Sequence, residues 1–360
     1  MGCPFWGIGP SVTSKIGMLI YIFIYILLLV GAYISERSVF VLYVMLAFIA
    51  FIVGYRAQTV GMDTETYYIL YDSLGDIGYL GYPEPIFGVL CEVANKIGIP
   101  FPLFQTILMF FALCMTALAI RRESNNYCLS MFLMLSMYFI CYAMNIYRQI
   151  LACFIIVYAC SVLINERKKW KFVFWVIVAA GFHLFALILL SALLLDRIRL
   201  KKSYIYVGLA LSLIIGFVSI LNLLVPLLGF YGEFYIQNTG DDYAKTGMRL
   251  ILAFLISVYW TIGFFYLYKH ADDRFRDSLY MKLFLVGILV YNLLIRHDLG
   301  LRVTLYFYFP MILGLSVFVD SAKMNRLKAQ ALVASYTSIY FFLFLAMNSA
   351  NVVPYTINQD

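Results

Sequence analysis

A turn that holds an arginine and two amide side chains interrupts a long apolar run. The run extends from about Tyr127 to Ile164, and Asn145, Arg148 and Gln149 lie near its middle. It is about twice as long as one membrane helix requires, so it predicts two spans joined by a tight turn. Charged groups at that depth are costly and are usually kept for function. Arg148 therefore either binds a ligand or reaches from a helix end toward the interface, as long cationic side chains commonly do.

Arg249 and Arg302 share the position of Arg148 at the beginning of a predicted span. A helix N-terminus is the positive end of the helix dipole, so a cation there does not stabilise the helix. Backbone N–H groups at such an end bind anions, and guanidinium groups bind phosphate bidentately and stay charged. We therefore predict that the three arginines form one site for the phosphate or pyrophosphate of a lipid. The alternative is that each pairs separately with a carboxylate or a lipid headgroup.

The loop after the second predicted span contributes Arg56, Asp63 and Tyr67. Asp63 has three candidate chemical roles, because a carboxylate can orient Arg56, bind a sugar hydroxyl or accept a proton. Its other interpretation is structural. Asp63 followed by Thr64 is typical of a helix N-cap, and an amphipathic helix is predicted over 64–74.

Two further groups of ionisable residues lie in or beside predicted spans. Arg296, His297 and Asp298 are consecutive in a short predicted loop. Asp298 is a candidate base or a partner for its two neighbours, and a solvated loop is the alternative. His183 is the only histidine within an apolar run, where it is either a candidate base or a satisfied core histidine.

The composition excludes a soluble domain. The chain has 360 residues, of which 64% are hydrophobic and 12% charged, and its mean hydropathy is +0.90. We predict an all-α, polytopic transmembrane helical bundle that forms a single integral membrane domain over 1–360, with about ten spans plus a re-entrant or broken helix pair. The predicted spans are 17–34, 39–55, 103–120, 127–144, 149–164, 203–222, 249–268, 281–295, 303–319 and 329–347.

Lysine and arginine in the loops predict the orientation. The loops on one side carry Arg37, Arg121, Arg122, Arg167, Lys168, Lys169, Lys171, Arg197, Arg199, Lys201, Lys202, Lys269, Arg274, Arg276, Lys323, Arg326 and Lys328. The other side carries only Lys15, Arg56, Lys96, Arg148, Lys245, Arg249, Arg296 and Arg302. The first side is therefore predicted to be cytoplasmic. Both termini and the loops at about 56–102 and 229–248 are then outside.

The apolar run at about 172–195 has basic clusters on both sides, so both of its ends are predicted to be cytoplasmic. One span cannot satisfy this, whereas a re-entrant pair of short helices or two abbreviated spans can. The break is predicted near Gly181-Phe182-His183. Irregular backbone at membrane depth occurs only within protein or beside a wet cavity, which places His183 near a cavity. The alternative is a full span with one basic cluster outside.

Familiar nucleotide- and metal-binding patterns are absent from the sequence. There is no Walker A loop, no GxGxxG after a strand, no HExxH, no CxxC and no Asp-x-Asp. Arginines can neutralise a pyrophosphate leaving group without a metal, so we predict neither a metal nor a cofactor. The net charge of +7 reflects the topology, and no nucleic-acid partner is predicted.

Three short motifs resemble those of the Wzy-type bacterial polysaccharide repeat-unit polymerases, most closely the EpsG-like branch. They are Arg56-x-x-x-Val60-Gly61-x-Asp63-Thr64-x-x-Tyr67, Asn145-x-x-Arg148-Gln149-x-x-Ala152 and Phe182-His183. Arg302 near a late outer loop fits more loosely, and the general layout is similar over nearly the whole chain. The resemblance implies a GT-C-like glycosyltransferase in the bacterial plasma (inner) membrane, acting in O-antigen (lipopolysaccharide), capsule or exopolysaccharide synthesis. Its implied partners are membrane lipid and a flippase and chain-length regulator of the same pathway.

The resemblance also implies a reaction. A growing glycan leaves its undecaprenyl-pyrophosphate carrier for a hydroxyl of a second lipid-linked repeat unit on the outer face. The predicted pyrophosphate- and glycan-binding residues are Arg56, Asn145, Arg148, Gln149, Arg249, Arg296, Arg302 and, for stacking on sugars, Tyr67. The candidate bases are His183, Asp63 and Asp298, with His183 first because its neutral form is available at pH 7. The alternatives are a lipid-linked oligosaccharide flippase or other transporter, and a related outer-face glycan ligase.

Overall fold

The computed structural model describes residues 12–34, 37–78, 82–218 and 247–358. Within these ranges the chain is helical and has no strand beyond two isolated bridges, which confirms the prediction of a polytopic helical membrane protein. The elements are α1 Val12–Ile34, α2 Val39–Gly54, α3 Thr64–Ile77, α4 Pro85–Lys96, α5 Phe101–Glu123, α6 Tyr127–Ser136, α7 Phe139–Ala143, α8 Tyr147–Glu166, α9 Lys169–Ala180, a 3-10 helix Leu184–Ser191, α10 Ala192–Leu195, α11 Lys202–Val218, α12 Gly247–His270, α13 Asp273–Arg276, α14 Leu279–Leu293, α15 Leu299–Tyr308, α16 Met311–Ser321 and α17 Arg326–Ala346.

Five of the described helices are long and apolar enough to cross a membrane, and α15 with α16 forms a sixth candidate that is bent by 47°. Each predicted span corresponds to a helix or a helix pair, although 203–222 can be compared only as far as Val218. The predicted span 127–144 is divided between the end of α6 at Ser136 and the beginning of α7 at Phe139, where Tyr138 has a left-handed φ of 66°. The total of about ten spans stays a prediction, because several of these helices are shorter than a bilayer crossing requires.

The chain divides into two compact units. The first comprises Met1–Leu187 with Gln330–Asp360, and the second comprises Ile188–Ala329. In the first unit α5 packs against α2 and α8, and α8 packs against α9, so that α8 is buried along most of its length. In the second unit α14 is central and contacts α11, α12 and α15.

The run 172–195 is broken where the sequence predicts. Helix α9 ends at Ala180 and a 3-10 helix begins at Leu184, with Gly181, Phe182 and His183 between them. The Gly181 carbonyl accepts a hydrogen bond of 3.1 Å from the backbone N–H of Phe87 in α4. A Cβ on Gly181 would lie 2.4 Å from the Ile86 side chain, so the close approach of α4 requires glycine there. Whether the two halves are re-entrant stays a prediction.

The segment after α17 returns to the loop after α2. The Ala57 N–H donates to the Thr356 carbonyl at 2.9 Å, and the Asn358 N–H donates to the Tyr55 carbonyl at 2.7 Å. The Tyr355 hydroxyl donates to a carbonyl at the end of α2 at 3.0 Å. This C-terminal segment therefore lies on the same side of the first unit as the loop that carries Arg56.

We expect a chain that ends at Val352 to be less stable, because these three bonds are lost. At about 1 kcal/mol for each bond, the free energy of unfolding falls by about 3 kcal/mol. The expected decrease in Tm is about 5 °C, measured by thermal melting in detergent. Tyr355→Phe is the matched control, since it removes only one of the bonds and is expected to cause about a third of the decrease. An unchanged Tm for the shortened chain would show that the C-terminal segment does not hold the loop.

Candidate functional site

Arg56 is buried in the first unit, with an exposure of only 2%. Its Nε donates to the Val60 and Met144 carbonyls at 3.3 and 3.1 Å and to the Thr64 hydroxyl at 3.2 Å. Its Nη1 donates to the Gln105 Oε1 at 3.1 Å. Burial lowers the pKa of Arg56 to about 10, so the guanidinium remains protonated at pH 7. These contacts are all with neutral protein groups, and they place Arg56 inside the protein.

The loop of Arg56 is attached to the turn that precedes α8. The Asp63 N–H donates to the Asn145 Oδ1 at 3.2 Å, and the Thr64 hydroxyl donates to the Met144 carbonyl at 3.2 Å. Gly61 has a φ of +86°, and a Cβ there would lie only 1.9 Å from the Met144 carbonyl oxygen. The two longer sequence motifs are therefore in contact, and the first of them holds the turn from which α8 begins.

The N-cap interpretation of Asp63 is wrong. Asp63 does occupy the position before α3, but its side chain makes no capping hydrogen bond. Its φ and ψ are −92° and −1°, whereas a capping residue usually has extended backbone from which the side chain reaches the second or third helical N–H. Asp63 is half-buried, and it stays a candidate for one of the chemical roles.

Arg148 is the second residue of α8, and its guanidinium forms an ion pair with Glu84. It also donates to the hydroxyl of Tyr82. The guanidinium carbon lies 5.4, 5.6 and 5.7 Å from the ring centroids of Tyr67, Tyr82 and Phe87. We call these four partners the Arg148 cage. The Arg148 side chain is 24% exposed while that of Glu84 is 3% exposed, so the arginine is still partly accessible although its carboxylate partner is buried. The Arg148 Nε is buried and has no hydrogen-bond partner among the described residues.

The broken segment Gly181–His183 contacts the element that carries part of the Arg148 cage. Gly181 of that segment accepts the bond from the backbone N–H of Phe87, one of the residues of the cage, at 3.1 Å. The backbone N–H of Leu184, at the beginning of the 3-10 helix, acts to lower the pKa of the Glu84 carboxylate. Burial raises the pKa of Glu84, while Arg148 and the hydrogen bonds from Leu184 and Tyr82 act in the opposite direction without cancelling that effect. His183 immediately precedes Leu184 and is partly exposed. The structure thus brings the segment of His183 and the segment of Glu84 together.

Asn145 and Gln149 flank Arg148 in the sequence and are both buried, with exposures of 6% and 4%. Asn145 accepts the bond from the Asp63 N–H, which assigns it a part in fixing the turn. Tyr67 is 7% exposed and lies against Arg148 and Tyr147. A role for Tyr67 in stacking on sugars stays a prediction.

The other predicted site residues belong to the second unit. Arg249 is the third residue of α12 and Arg302 the fourth of α15, so both lie in the first turn of a helix, as the sequence predicts. Arg296 donates to the Phe217 carbonyl at 3.3 Å. Asp298 precedes α15 and is exposed, without a capping bond from its side chain, and His297 is half-buried beside it. A single anion site that combines these arginines with Arg148 stays a prediction. The outer loop at 229–248 lies almost wholly outside the described residues.

Glu84 and Tyr82 are functional candidates that the sequence reasoning missed. Glu84 lies 64 residues before Arg148, and nothing in their spacing indicates that they meet. One signal was present: Glu84 immediately precedes Pro85, which begins the amphipathic helix α4. A carboxylate at the edge of an apolar helix requires a partner when it is buried.

No three His, Cys, Asp or Glu side chains lie close enough to bind a metal ion anywhere in the described ranges. The described cysteines are free, and most of them are buried within helices. That the protein works without a metal stays a prediction.

Comparison with known protein families gives a match over most of the chain. The profile of the EpsG family matches residues 39–357, a range that includes both longer motifs and parts of both units. No curated protein and no solved structure shows a significant match. Because the matched range covers most of the chain, the protein is a member of the EpsG family, a family of Wzy-like polysaccharide polymerases.

Proposed function

We propose that the protein transfers a growing glycan from an undecaprenyl-pyrophosphate carrier to a lipid-linked repeat unit on the outer face of the bacterial plasma membrane. Membership of the EpsG family supports a membrane-bound, glycosyltransferase-like polymerase. The observation that carries the finer proposal is the position of Arg148 within the Arg148 cage. Its guanidinium lies at the beginning of a candidate membrane span, one carboxylate and three aromatic rings hold it, and its side chain is still 24% exposed.

Arg148 is proposed to bind the pyrophosphate of the donor. In the reaction the acceptor hydroxyl oxygen forms a bond to the anomeric carbon, and the bond from that carbon to the pyrophosphate oxygen breaks. The hydroxyl proton moves to a base, for which His183, Asp63 and Asp298 are the candidates, with His183 first. Negative charge develops on the departing pyrophosphate. A fixed guanidinium and the N–H groups at the start of α8 stabilise that charge more in the transition state than in the ground state.

Arg56 and Glu84 are proposed to act as positioning residues. Arg56 holds the Met144–Asn145 turn, and this turn sets where α8 begins. The buried Glu84 carboxylate accepts a hydrogen bond from Arg148 Nη1 and so fixes the orientation of the guanidinium toward the ligand. The site therefore consists of an anion-binding arginine and two sets of contacts that fix its orientation.

We expect Glu84→Gln to lower kcat by about tenfold or more, because a neutral amide orients the guanidinium less strongly than a carboxylate. KM for the lipid-linked donor is expected to stay the same or fall, since the variant removes a negative charge close to the pyrophosphate. The measurement is steady-state chain elongation in proteoliposomes. Glu166→Gln is the matched control. Glu166 pairs with Arg122 at 3.1 Å at the other end of α8, and its replacement is expected to leave both constants unchanged. An increase in KM of Glu84→Gln without a change in its kcat would contradict a positioning role.

The proposed function is tested with purified protein and a lipid-linked repeat unit in proteoliposomes. We expect a ladder of longer glycans and release of the polyprenyl pyrophosphate, both dependent on the protein. Movement of intact repeat units across the bilayer without elongation would instead identify a flippase. Transfer of the glycan to a different acceptor lipid, with no ladder, would identify a ligase.

A further inference from the structure

A cleft of about 420 Å³ lies in the second unit, where α11 begins and α12 ends. Three cations and three aromatic residues line it: Lys202, Lys269, Arg276, Tyr206, Phe265 and Tyr268. Its volume is within the range of ligand-binding pockets. The cleft contains none of the residues assigned above to glycan transfer.

Each of the three guanidinium nitrogens of Arg276 donates a hydrogen bond to the protein. Its Nε donates to the Tyr268 carbonyl at 2.6 Å and its Nη2 to the Lys269 carbonyl at 3.0 Å, which satisfies two carbonyls in the last turn of α12. Its Nη1 donates to the Asp273 carboxylate at 2.8 Å. Arg276 therefore shapes one wall of the cleft. The charges left to attract a ligand are those of the two lysines.

Lys202 and Lys269 form no ion pair with any residue in the described part of the second unit. Lys202 is the first residue of α11, where the helix dipole disfavours a cation, so helix stability does not account for it. Lys269 lies in the last turn of α12, across the cleft from the beginning of α11. Two lysines on one cleft attract a phosphate group, which they bind as point charges.

The cleft lies at the ends of apolar helices. Helix α12 is a candidate span, and α11 exposes large apolar side chains beyond the cleft, including Val207, Leu211 and Ile214 at 56%, 50% and 61%. Where such a helix gives way to lysines, the lipid headgroups are expected. The distribution of Lys and Arg in the sequence predicts that this is the cytoplasmic side, on which anionic lipids are attractive to basic residues.

The aromatic wall favours a ligand with an apolar part. The rings of Tyr206 and Phe265 stack with their centroids 5.4 Å apart and their planes within 20° of each other. Tyr206 is 59% exposed, so a broad aromatic face remains open next to the lysines. Cationic groups beside an apolar wall match a phosphate that is attached to glycerol and acyl chains.

We propose that this cleft binds an anionic phospholipid, with its phosphate at Lys202 and Lys269 and its glycerol and upper acyl chain against Tyr206 and Phe265. A lipid bound there bridges the beginning of α11 and the end of α12. It is expected to stabilise the protein, because a ligand that binds only the folded state raises Tm by an amount that grows with the logarithm of the ratio of its concentration to its Kd.

The test is thermal melting of the purified full chain with phosphatidylglycerol or phosphatidylcholine added. We expect phosphatidylglycerol to raise the Tm of the wild type above the value in phosphatidylcholine. Lys202→Gln/Lys269→Gln is expected to lose most of this difference, with an apparent affinity at least about tenfold lower. Lys201→Gln/Lys328→Gln is the control. It removes the same charge from the second unit without altering the cleft lining, and it is expected to keep the full difference.

Three results would overturn the proposal. The first is an equal loss in both double variants, which would show a diffuse attraction to basic surface. The second is an undiminished difference in Lys202→Gln/Lys269→Gln. The third is an equal stabilisation by inorganic phosphate at matched concentration, which would make a soluble phosphate the ligand instead of a lipid.

Discussion

Arg148→Ala is expected to lower the rate of polymerisation by about a hundredfold or more, which is typical when one fixed donor to a developing anion is removed. Membranes that contain this variant should accumulate single lipid-linked repeat units on the outer face in place of long chains. The physical reason is that no other described cation contacts the Arg148 cage, so the leaving group loses the guanidinium proposed to stabilise its charge at the beginning of α8. The measurement is the length distribution of the glycan at matched membrane abundance.

Arg148→Lys separates charge from geometry. A lysine preserves a positive charge for the buried Glu84, so the fold is expected to persist. It lacks the planar fork, however, and cannot fill the space between three rings in the same way. We expect the rate to fall by about tenfold or more while Tm changes little.

Arg122→Ala is the matched control for both Arg148 variants. Arg122 also pairs with a glutamate of α8, at 3.1 Å, but the pair lies at the opposite end of that helix. The Arg122→Ala variant is expected to leave the glycan length unchanged. Normal polymerisation by Arg148→Ala, or an equal loss in Arg122→Ala, would remove Arg148 from the site.

Gly61→Ala is expected to prevent the accumulation of folded protein. Two costs coincide at this residue. The φ of +86° disfavours any side chain by about 1–2 kcal/mol. The new Cβ would also lie 1.9 Å from the Met144 carbonyl oxygen, a backbone atom that cannot move without displacing the beginning of α8. Together they are expected to exceed about 4 kcal/mol, a large part of the stability of most domains.

Gly98→Ala provides the comparison. Gly98 has a similar φ of +76°, but no atom lies within 4 Å of the position that a Cβ would occupy. We expect it to lose only about 1 kcal/mol, from the backbone conformation alone. Thermal melting and gel filtration in detergent measure both variants. Equal stability of Gly61→Ala and Gly98→Ala would mean that the loop of Arg56 is not pressed against the turn before α8.

The sequence predicts those features of the fold that depend on local pattern. Long apolar runs locate the helices, and an arginine at the beginning of an apolar run locates the first turn of α8, α12 and α15. The break at Gly181–His183 follows from basic clusters on both sides of one apolar run. In each case the physical cause, the length of apolar chain or the sign of the flanking charge, acts on neighbouring residues.

The interior of the site depends on contacts between distant parts of the chain. Glu84 meets Arg148 across 64 residues of sequence, and α4 also contacts the broken segment after α9 through the bond from Phe87 to Gly181. The charge of Arg56 and its place in a loop after a span predict a ligand-binding residue. In the structure, carbonyl groups from two loops enclose its guanidinium instead. Asp63 has the sequence of an N-cap, and its backbone conformation prevents that role. For Glu84 the local pattern shows only that it precedes an apolar helix, and it does not identify Arg148 as the partner. For Arg56 and Asp63 the local pattern favours a different outcome from the one observed.

The most direct test of the site is the affinity of the purified protein for a polyprenyl pyrophosphate, the proposed leaving group, compared with the corresponding monophosphate. We predict that the wild type and Arg122→Ala bind the pyrophosphate equally well and in preference to the monophosphate. Arg148→Ala should bind the pyrophosphate at least about tenfold more weakly, a loss of about 1.4 kcal/mol. Undiminished binding of the pyrophosphate by Arg148→Ala would contradict the claim that the beginning of α8 holds the donor.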